Sequence, residues 1–167
     1  MPISPYLRAL RDRVGPELLL VPSVTVLLFD GQGRVLLVRH ADRGVWVAPG
    51  GSLEPHELPA DAALREAWEE TGLRVELVRL LGVYAGPELE VRYANGDRVA
   101  YCMIVFEARS LGGVLRPDGE ETLEVGWFGR DELAGIEVAP WVQTVVPDAL
   151  AGRGGARFQA PRWRPPT

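Results

Sequence analysis

The chain contains no lysine: all eighteen of its basic residues are arginines. Arginine suits bidentate contacts with phosphate. A chain-wide lack of lysine beside abundant Ala, Gly and Pro nevertheless reads as genomic base composition. Cysteine is almost absent as well. Cys102 stands alone, so no disulfide can form within the chain, which fits a reducing compartment. Its setting in AYCMIVF makes it a structural strand residue rather than a reactive thiol. No apolar run approaches the roughly 18 residues that cross a bilayer, and the N-terminal MPISPYLRALRDRVG lacks the apolar centre of a signal peptide. A soluble, cytoplasmic protein with no membrane partner is therefore expected. The net charge of −5 offers no general basic face, so a nucleic-acid polymer is not expected as a partner. A small phosphate ligand bridged by a cation is compatible with it.

What is present describes one domain of 167 residues, with 47% hydrophobic and 25% charged side chains. Ser4-Pro5 starts a helix and Gly15-Pro16 stops it, while Tyr6, Leu7, Leu10 and Val14 form one apolar stripe. That pattern predicts a docking helix over 4–15, packed on its own domain or on a second subunit. Leu18 to Phe29 and Val35 to Val38 read as strands covered on both faces and joined by the turn at Asp30-Gly31-Gln32-Gly33. A short apolar segment, Val45 to Ala48, runs into Pro49-Gly50-Gly51. Leu58 to Thr71 reads as a helix with Pro59 in its first turn and Gly72 at its C-cap. Leu73 to Ala85 follows as a strand, and Asn95-Gly96 is a strong hairpin signal between Glu88–Tyr93 and Arg98–Phe106. Arg109 to Gly119 is expected as a loop, Glu121 to Phe128 as a last strand, and Pro140 to Val146 as a helix that Pro147 kinks or ends. Residues 152–167 carry four arginines and no acid, with Gly and Pro opposing regular structure. They read as a tail following a single domain over 1–151, which Phe158 and Trp163 could anchor near an acidic site or on another subunit. With no internal repeat or interior linker, the pattern argues a mixed α/β domain.

The stretch Gly51–Leu73 carries the chemistry. Gly51 is followed by Glu57, then Arg65-Glu66, an apolar Ala67, Glu69-Glu70 and Gly72-Leu73. Seven identities at fixed spacing coincide at one start point with a probability on the order of 10⁻⁸. On a helical wheel with Glu66 at zero, Glu70 falls near 40° and Glu69 near 300°, so the three carboxylates share a sector. Ala60, Ala63, Leu64, Ala67, Trp68 and Thr71 fall between about 60° and 200° and are expected to pack. Glu66 and Glu70 are like charges at i,i+4, a pairing that destabilises an isolated helix by a few tenths of a kcal/mol. A hard divalent cation, Mg²⁺ or Mn²⁺, would offset that repulsion and share its shell with water and phosphate. Arg65 is placed to hydrogen-bond carboxylates and hold the loop acid Glu57.

This spacing is the complete Nudix box, and the chain resembles the MutT-like Nudix hydrolase family. The resemblance implies an α/β/α sandwich with the box as loop, helix and loop. It implies hydrolysis of the pyrophosphate bond in a nucleoside diphosphate linked to another group, such as ADP-ribose or a nucleotide sugar. A nucleoside triphosphate pyrophosphohydrolase that removes damaged nucleotides is the alternative, and a nucleotide-binding module without turnover is a reading of another class. Carried onto this sequence, Glu69 and Glu70 become the main metal ligands, and Glu66 a ligand or the group that orients attacking water. Gly51 supplies a backbone contact, with Arg65 and Glu57 in support. A base or further ligand outside the box is expected from Glu120, Glu121 or Glu124, with Glu121 the first choice. Two positions depart from the family pattern: His56 stands where glycine is common, and Leu58 where a Ser or Thr cap is common. Glu57 or Asp61 is then expected to satisfy the free N–H groups of the helix. Arg39, Arg43 and Trp46, with Gly50 and Gly51, are the candidates for holding substrate. Exchange of the Tyr93–Tyr101 hairpin between subunits would give a homodimer.

Overall fold

The computed structural model describes residues 4–151 and 154–160. Helix α1 (Pro5–Val14) precedes strands β1 (Leu18–Leu28), β2 (Val35–His40), β3 (Trp46–Val47) and β4 (Gly50–Ser52). Helix α2 (Pro59–Thr71) leads into β5 (Leu73–Tyr84), β6 (Glu90–Arg92), β7 (Arg98–Gly113) and β8 (Thr122–Phe128), then α3 (Val142–Leu150) and β9 (Arg157–Phe158). The larger sheet runs in the order β4-β1-β7-β5-β9, with β6 also on β7, and β3-β2-β8 form a second sheet. Parallel and antiparallel neighbours mix in the larger one, since β1 lies parallel to β7 while β5 lies antiparallel to it. The mixed α/β class expected from the sequence is therefore the observed one.

Two apolar clusters divide the molecule. In one, Ala62, Ala63 and Ala67 of α2 pack on Val24, Val26 and Leu28 of β1 and on Leu36. In the other, Val142, Val145, Val146 and Ala149 of α3 pack against Leu27, Leu37, Leu81 and Val105. Three fully buried alanines let the α2 backbone lie close to the sheet. This closeness brings its acids to β4.

Several local expectations are corrected. β1 and β2 are not paired strands of one hairpin: a single bridge, Phe29 to Val35, links them, and each then enters a different sheet. Their near-continuous burial explains both the sequence pattern and the split, because each is sandwiched between layers. The segment expected as a loop from Arg109 is strand as far as Gly113, where β7 pairs with Leu73 and Arg74 at the start of β5. Pro147 does not end the helix as expected: α3 runs through it to Leu150, held by its buried valines. Helix α1 matches its predicted limits, with Leu7 N–H donating to Ser4 Oγ at 3.2 Å, yet none of its residues is buried.

The segment beyond residue 152 holds regular structure despite its glycines and prolines. Arg157 and Phe158 pair in parallel with Gly82 and Val83 of β5, and Arg157 reaches Asp148 at 3.0 Å. Phe158 itself is 80% exposed, so Arg157 makes the anchor rather than the aromatic ring. Trp163 lies outside the described residues. Among the described residues no helix is long and apolar enough to cross a membrane.

Candidate active site

Gly50, Gly51 and Ser52 pair antiparallel with Thr25, Val24 and Ser23, so β4 is held on β1 at one edge of the large sheet. Any side chain at position 51 would displace the Glu66 carboxylate. A Cβ there would lie 2.3 Å from the carboxylate oxygen Oε1 of Glu66. Beside it, the Gly50 N–H donates to Glu70 Oε2 at 3.0 Å, tying the last turn of α2 to the glycine strand.

The buried residues of α2 are Ala62, Ala63, Glu66, Ala67, Glu70 and Thr71. On the wheel this puts the middle of the buried arc near 50°, so Glu66 and Glu70 point into the molecule with the alanines. Glu69, at the edge of that arc, lies on the rim with its side chain about half exposed. Leu64 and Trp68, expected to pack, are instead 39% and 47% exposed. The helix rotates its acids toward the sheet because the glycines opposite leave room for carboxylates.

Arg65 organises the rim. Its guanidinium donates to Glu57 through Nε (2.8 Å) and Nη2 (3.0 Å), and through Nη1 to Glu66 (2.7 Å) and Glu69 (3.1 Å). The second oxygen of Glu57 accepts the Glu54 N–H at 3.0 Å. Glu57 thus stabilises its own loop and does not cap α2, and Leu58 at the N-cap offers no side-chain hydrogen bond. His56 is the one non-glycine residue at positive φ, 71°, among the described residues, which accounts for the glycine usual at that position.

A cavity of about 510 Å³ gathers Glu54, Glu66, Glu69, Glu70, Asp118, Glu120 and Glu121, with Arg65 the one basic side chain among the described residues that line it. Burial, then the neighbouring Glu66, holds the Glu70 carboxyl well above the usual carboxylate range, against the Gly50 hydrogen bond that lowers it. Burial also raises Glu66, although Arg65 opposes the shift. Glu121 is pushed up to about 7 by burial and by Glu66. In contrast, the Arg65 hydrogen bonds keep Glu57 below its ordinary value.

Donors that are all oxygen, buried and short of positive charge suit a hard divalent cation, whose charge would remove the cost of ionising them. Among the described residues no three acidic, His or Cys side chains already converge into a coordination shell. The carboxylates line a common space around it instead.

Of the three acids offered outside the box, Glu120 and Glu121 reach this cavity. Glu124 does not: it pairs with Arg39 across β2 and β8. Arg39, a candidate for holding substrate, is engaged in that exposed pair and does not line the acid cavity. Trp46, a candidate for holding substrate, packs edge-on against Phe128, ring centroids 4.6 Å apart, and is partly buried against the core. Arg43 does reach a second, smaller pocket of about 70 Å³ that is also lined by His40, Tyr93, Tyr101, Met103 and Trp141 and shares Gly51 and Ser52 with the acid cavity.

Sequence reasoning missed Asp118 and His40. Asp118 Oδ1 accepts the N–H groups of Glu120, Glu121 and Thr122 and so shapes the loop that presents Glu121. An Asp-Gly pair before that run was its signal. His40 carried none, since only the tertiary fold buries it.

Comparison with known proteins agrees with this geometry. The NUDIX domain family matches residues 19–149, most of the chain. A MutT-like protein of Streptomyces ambofaciens is 36% identical over 149 residues, covering 89% of this chain and 88% of its own length. An 8-oxo-dGDP phosphatase of Mus musculus is 37% identical over 116 residues, 66% of this chain but 32% of that longer protein. A Nudix hydrolase structure from Nitrosomonas europaea superposes with a TM-score of 0.63 at 26% identity, over 79% of this chain and 89% of that one. The likeness first carried by one box thus extends over nearly the whole domain, and the chain belongs to the Nudix family of hydrolases.

Proposed function

We propose that this enzyme cleaves the pyrophosphate bond of a nucleoside diphosphate linked to a second group, such as ADP-ribose or a nucleotide sugar, with Mg²⁺ or Mn²⁺ as cofactor. The observation that carries this reading is the junction of the acid cavity with the smaller pocket at Gly51 and Ser52. In that pocket His40 Nδ1 and Arg43 Nε are buried without a hydrogen-bond partner among the described residues. Buried polar atoms left unpaired are costly, and the polar edge of a base or ribose would pair them.

Glu66, Glu69 and Glu70 are the residues that would hold the cation. When bound, it neutralises the diphosphate and stabilises the leaving oxygen. Arg65 holds Glu66 in place and, through Glu57, shapes the loop at the rim. Glu121, with a carboxyl that titrates at about 7, is half ionised near neutral pH and takes the proton of the attacking water. Gly51 leaves space for the Glu66 carboxylate and presents backbone to phosphate. The lone cysteine fits a cytoplasmic location, and a homodimer through the Tyr93–Tyr101 hairpin belongs to the same proposal. A monomeric mass at micromolar concentration would remove the dimer.

A substrate panel with Mg²⁺ or Mn²⁺, read by nucleotide and phosphate products, tests the reading. A nucleoside monophosphate is expected from ADP-ribose or a nucleotide sugar, with kcat lowered about 100-fold or more in Glu69→Gln and Glu70→Gln. Release of pyrophosphate from nucleoside triphosphates alone would replace this reading with the second one, nucleotide sanitation.

A further inference from the structure

Helix α1 is an unusual element: ten residues, none of them buried, held by a polar pin. Arg11 donates to the carbonyls of Gly15 (3.1 Å), Glu17 (2.6 Å) and Arg98 (2.7 Å), and its Nε lies 3.5 Å from the Asp97 carboxylate. A helix that buries nothing adds little to the core. What it does add is wall. Ser4, Pro5 and Leu7 close one side of the acid cavity, while Leu7, Arg8 and Arg11 close one side of a third cavity of about 500 Å³. The β6–β7 hairpin forms the opposite side, through Tyr93, Asn95 and Asp97.

All three cavities meet at Ser52. From the acid cavity a ligand therefore has two ways to extend. One enters the smaller pocket, walled by Val47, Leu89, Met103 and Trp141, whose apolar lining suits the faces of a planar ring. The other enters the larger cleft, lined by the hydroxyl of Tyr93, the amide of Asn95, the carboxylates of Asp42 and Asp97 and the guanidinium groups of Arg8 and Arg11, a wall suited to a polar group. A nucleoside triphosphate has one organic group on its phosphate chain and would use one path. A nucleoside diphosphate linked to a sugar has two groups and would use both.

We propose that the cleft between α1 and the β6–β7 hairpin is the site for the hydroxyl-rich group on the far side of the diphosphate. Arg8 contacts that group, and Arg11 is a positioning residue that holds the wall. The inference rests on the NDP-X reading above and adds to it the element that selects the second group.

Steady-state kinetics with ADP-ribose and UDP-glucose against ATP and UTP test it, on wild type, Arg11→Ala and Arg8→Ala. Each variant should raise KM for ADP-ribose or UDP-glucose about tenfold, the loss of one to two hydrogen bonds. Its kcat, and its KM for any triphosphate that is turned over, should stay within twofold. A purely structural role would move both substrate classes together. Should Arg11→Ala fail to fold, exposed Arg8→Ala decides alone. If wild type hydrolyses ADP-ribose or UDP-glucose and both variants keep their KM, or change all substrates alike, this assignment of α1 is wrong while the reaction class stands. If wild type hydrolyses neither ADP-ribose nor UDP-glucose, both readings fall.

Discussion

Individual atoms settle which residues of the box can be exchanged. At Gly51 the added methyl of alanine would fall 2.3 Å from the Glu66 carboxylate, which would have to shift within the acid cavity that it lines. Gly51→Ala should therefore leave the fold intact by circular dichroism while lowering kcat about 100-fold, the effect of displacing a catalytic group by about 1 Å. An unchanged kcat would show that Glu66 yields without consequence. His56 gives the opposite case. It is exposed and adopts φ 71°, which costs a side chain about 1 kcal/mol that glycine escapes. His56→Gly is expected to raise stability by about 0.5–1 kcal/mol in urea titration, and a loss of stability would mean that the imidazole makes a contact offsetting the strain.

Helix α2 is the element on which the site depends, and its two ends are unequal. Gly72, at φ 70°, closes the C-terminus with its N–H on Trp68. The N-terminus has no side-chain cap, because Leu58 cannot accept a hydrogen bond and Glu57 is engaged with Arg65 and Glu54. Leu58 already has the extended backbone of an N-cap and is 64% exposed. Leu58→Ser should add about 1 kcal/mol and raise the melting temperature by roughly 2–4 °C, with kcat unaltered, as scanning calorimetry would show. The sequence identified this missing cap correctly. It could not show that Glu57 was already occupied, because the partners of Glu57 lie along a loop path that spacing does not specify.

Across the whole molecule the acid cavity couples charge to folding. Glu66, Glu70 and Glu121 hold their protons to higher pH in the folded chain than in the unfolded one. Above about pH 4.5 the folded state therefore binds more protons, and the stability these groups contribute is lost as pH rises toward about 7, where Glu121 ionises. His40 acts in the other direction below about pH 6.5, since burial lowers its pKa and the unfolded chain then binds the extra proton. Comparison with Glu121→Gln isolates the carboxyl. In metal-free buffer the melting temperature of wild type minus that of Glu121→Gln should fall between about pH 5 and about pH 7.5, and Mg²⁺ should abolish the fall. A difference that stays level with pH would remove Glu121 from the coupled set.

Local chemistry alone determined the box, the helix that carries it, its Pro and Gly ends and the Asn95-Gly96 hairpin, because each depends on residues a few positions apart. The mixed α/β class followed from the same signals taken together. Tertiary structure decided the rest. It sent β1 and β2 into different sheets, turned Glu66 and Glu70 inward while leaving Glu69 on the rim, and tied Arg39 to Glu124. It also buried His40 beside a pocket and set α1 as a wall over Ser52. Those outcomes rest on strand partners and cavity walls far apart in the chain. Periodicity shows which face of an element is apolar, but packing alone selects what that face meets.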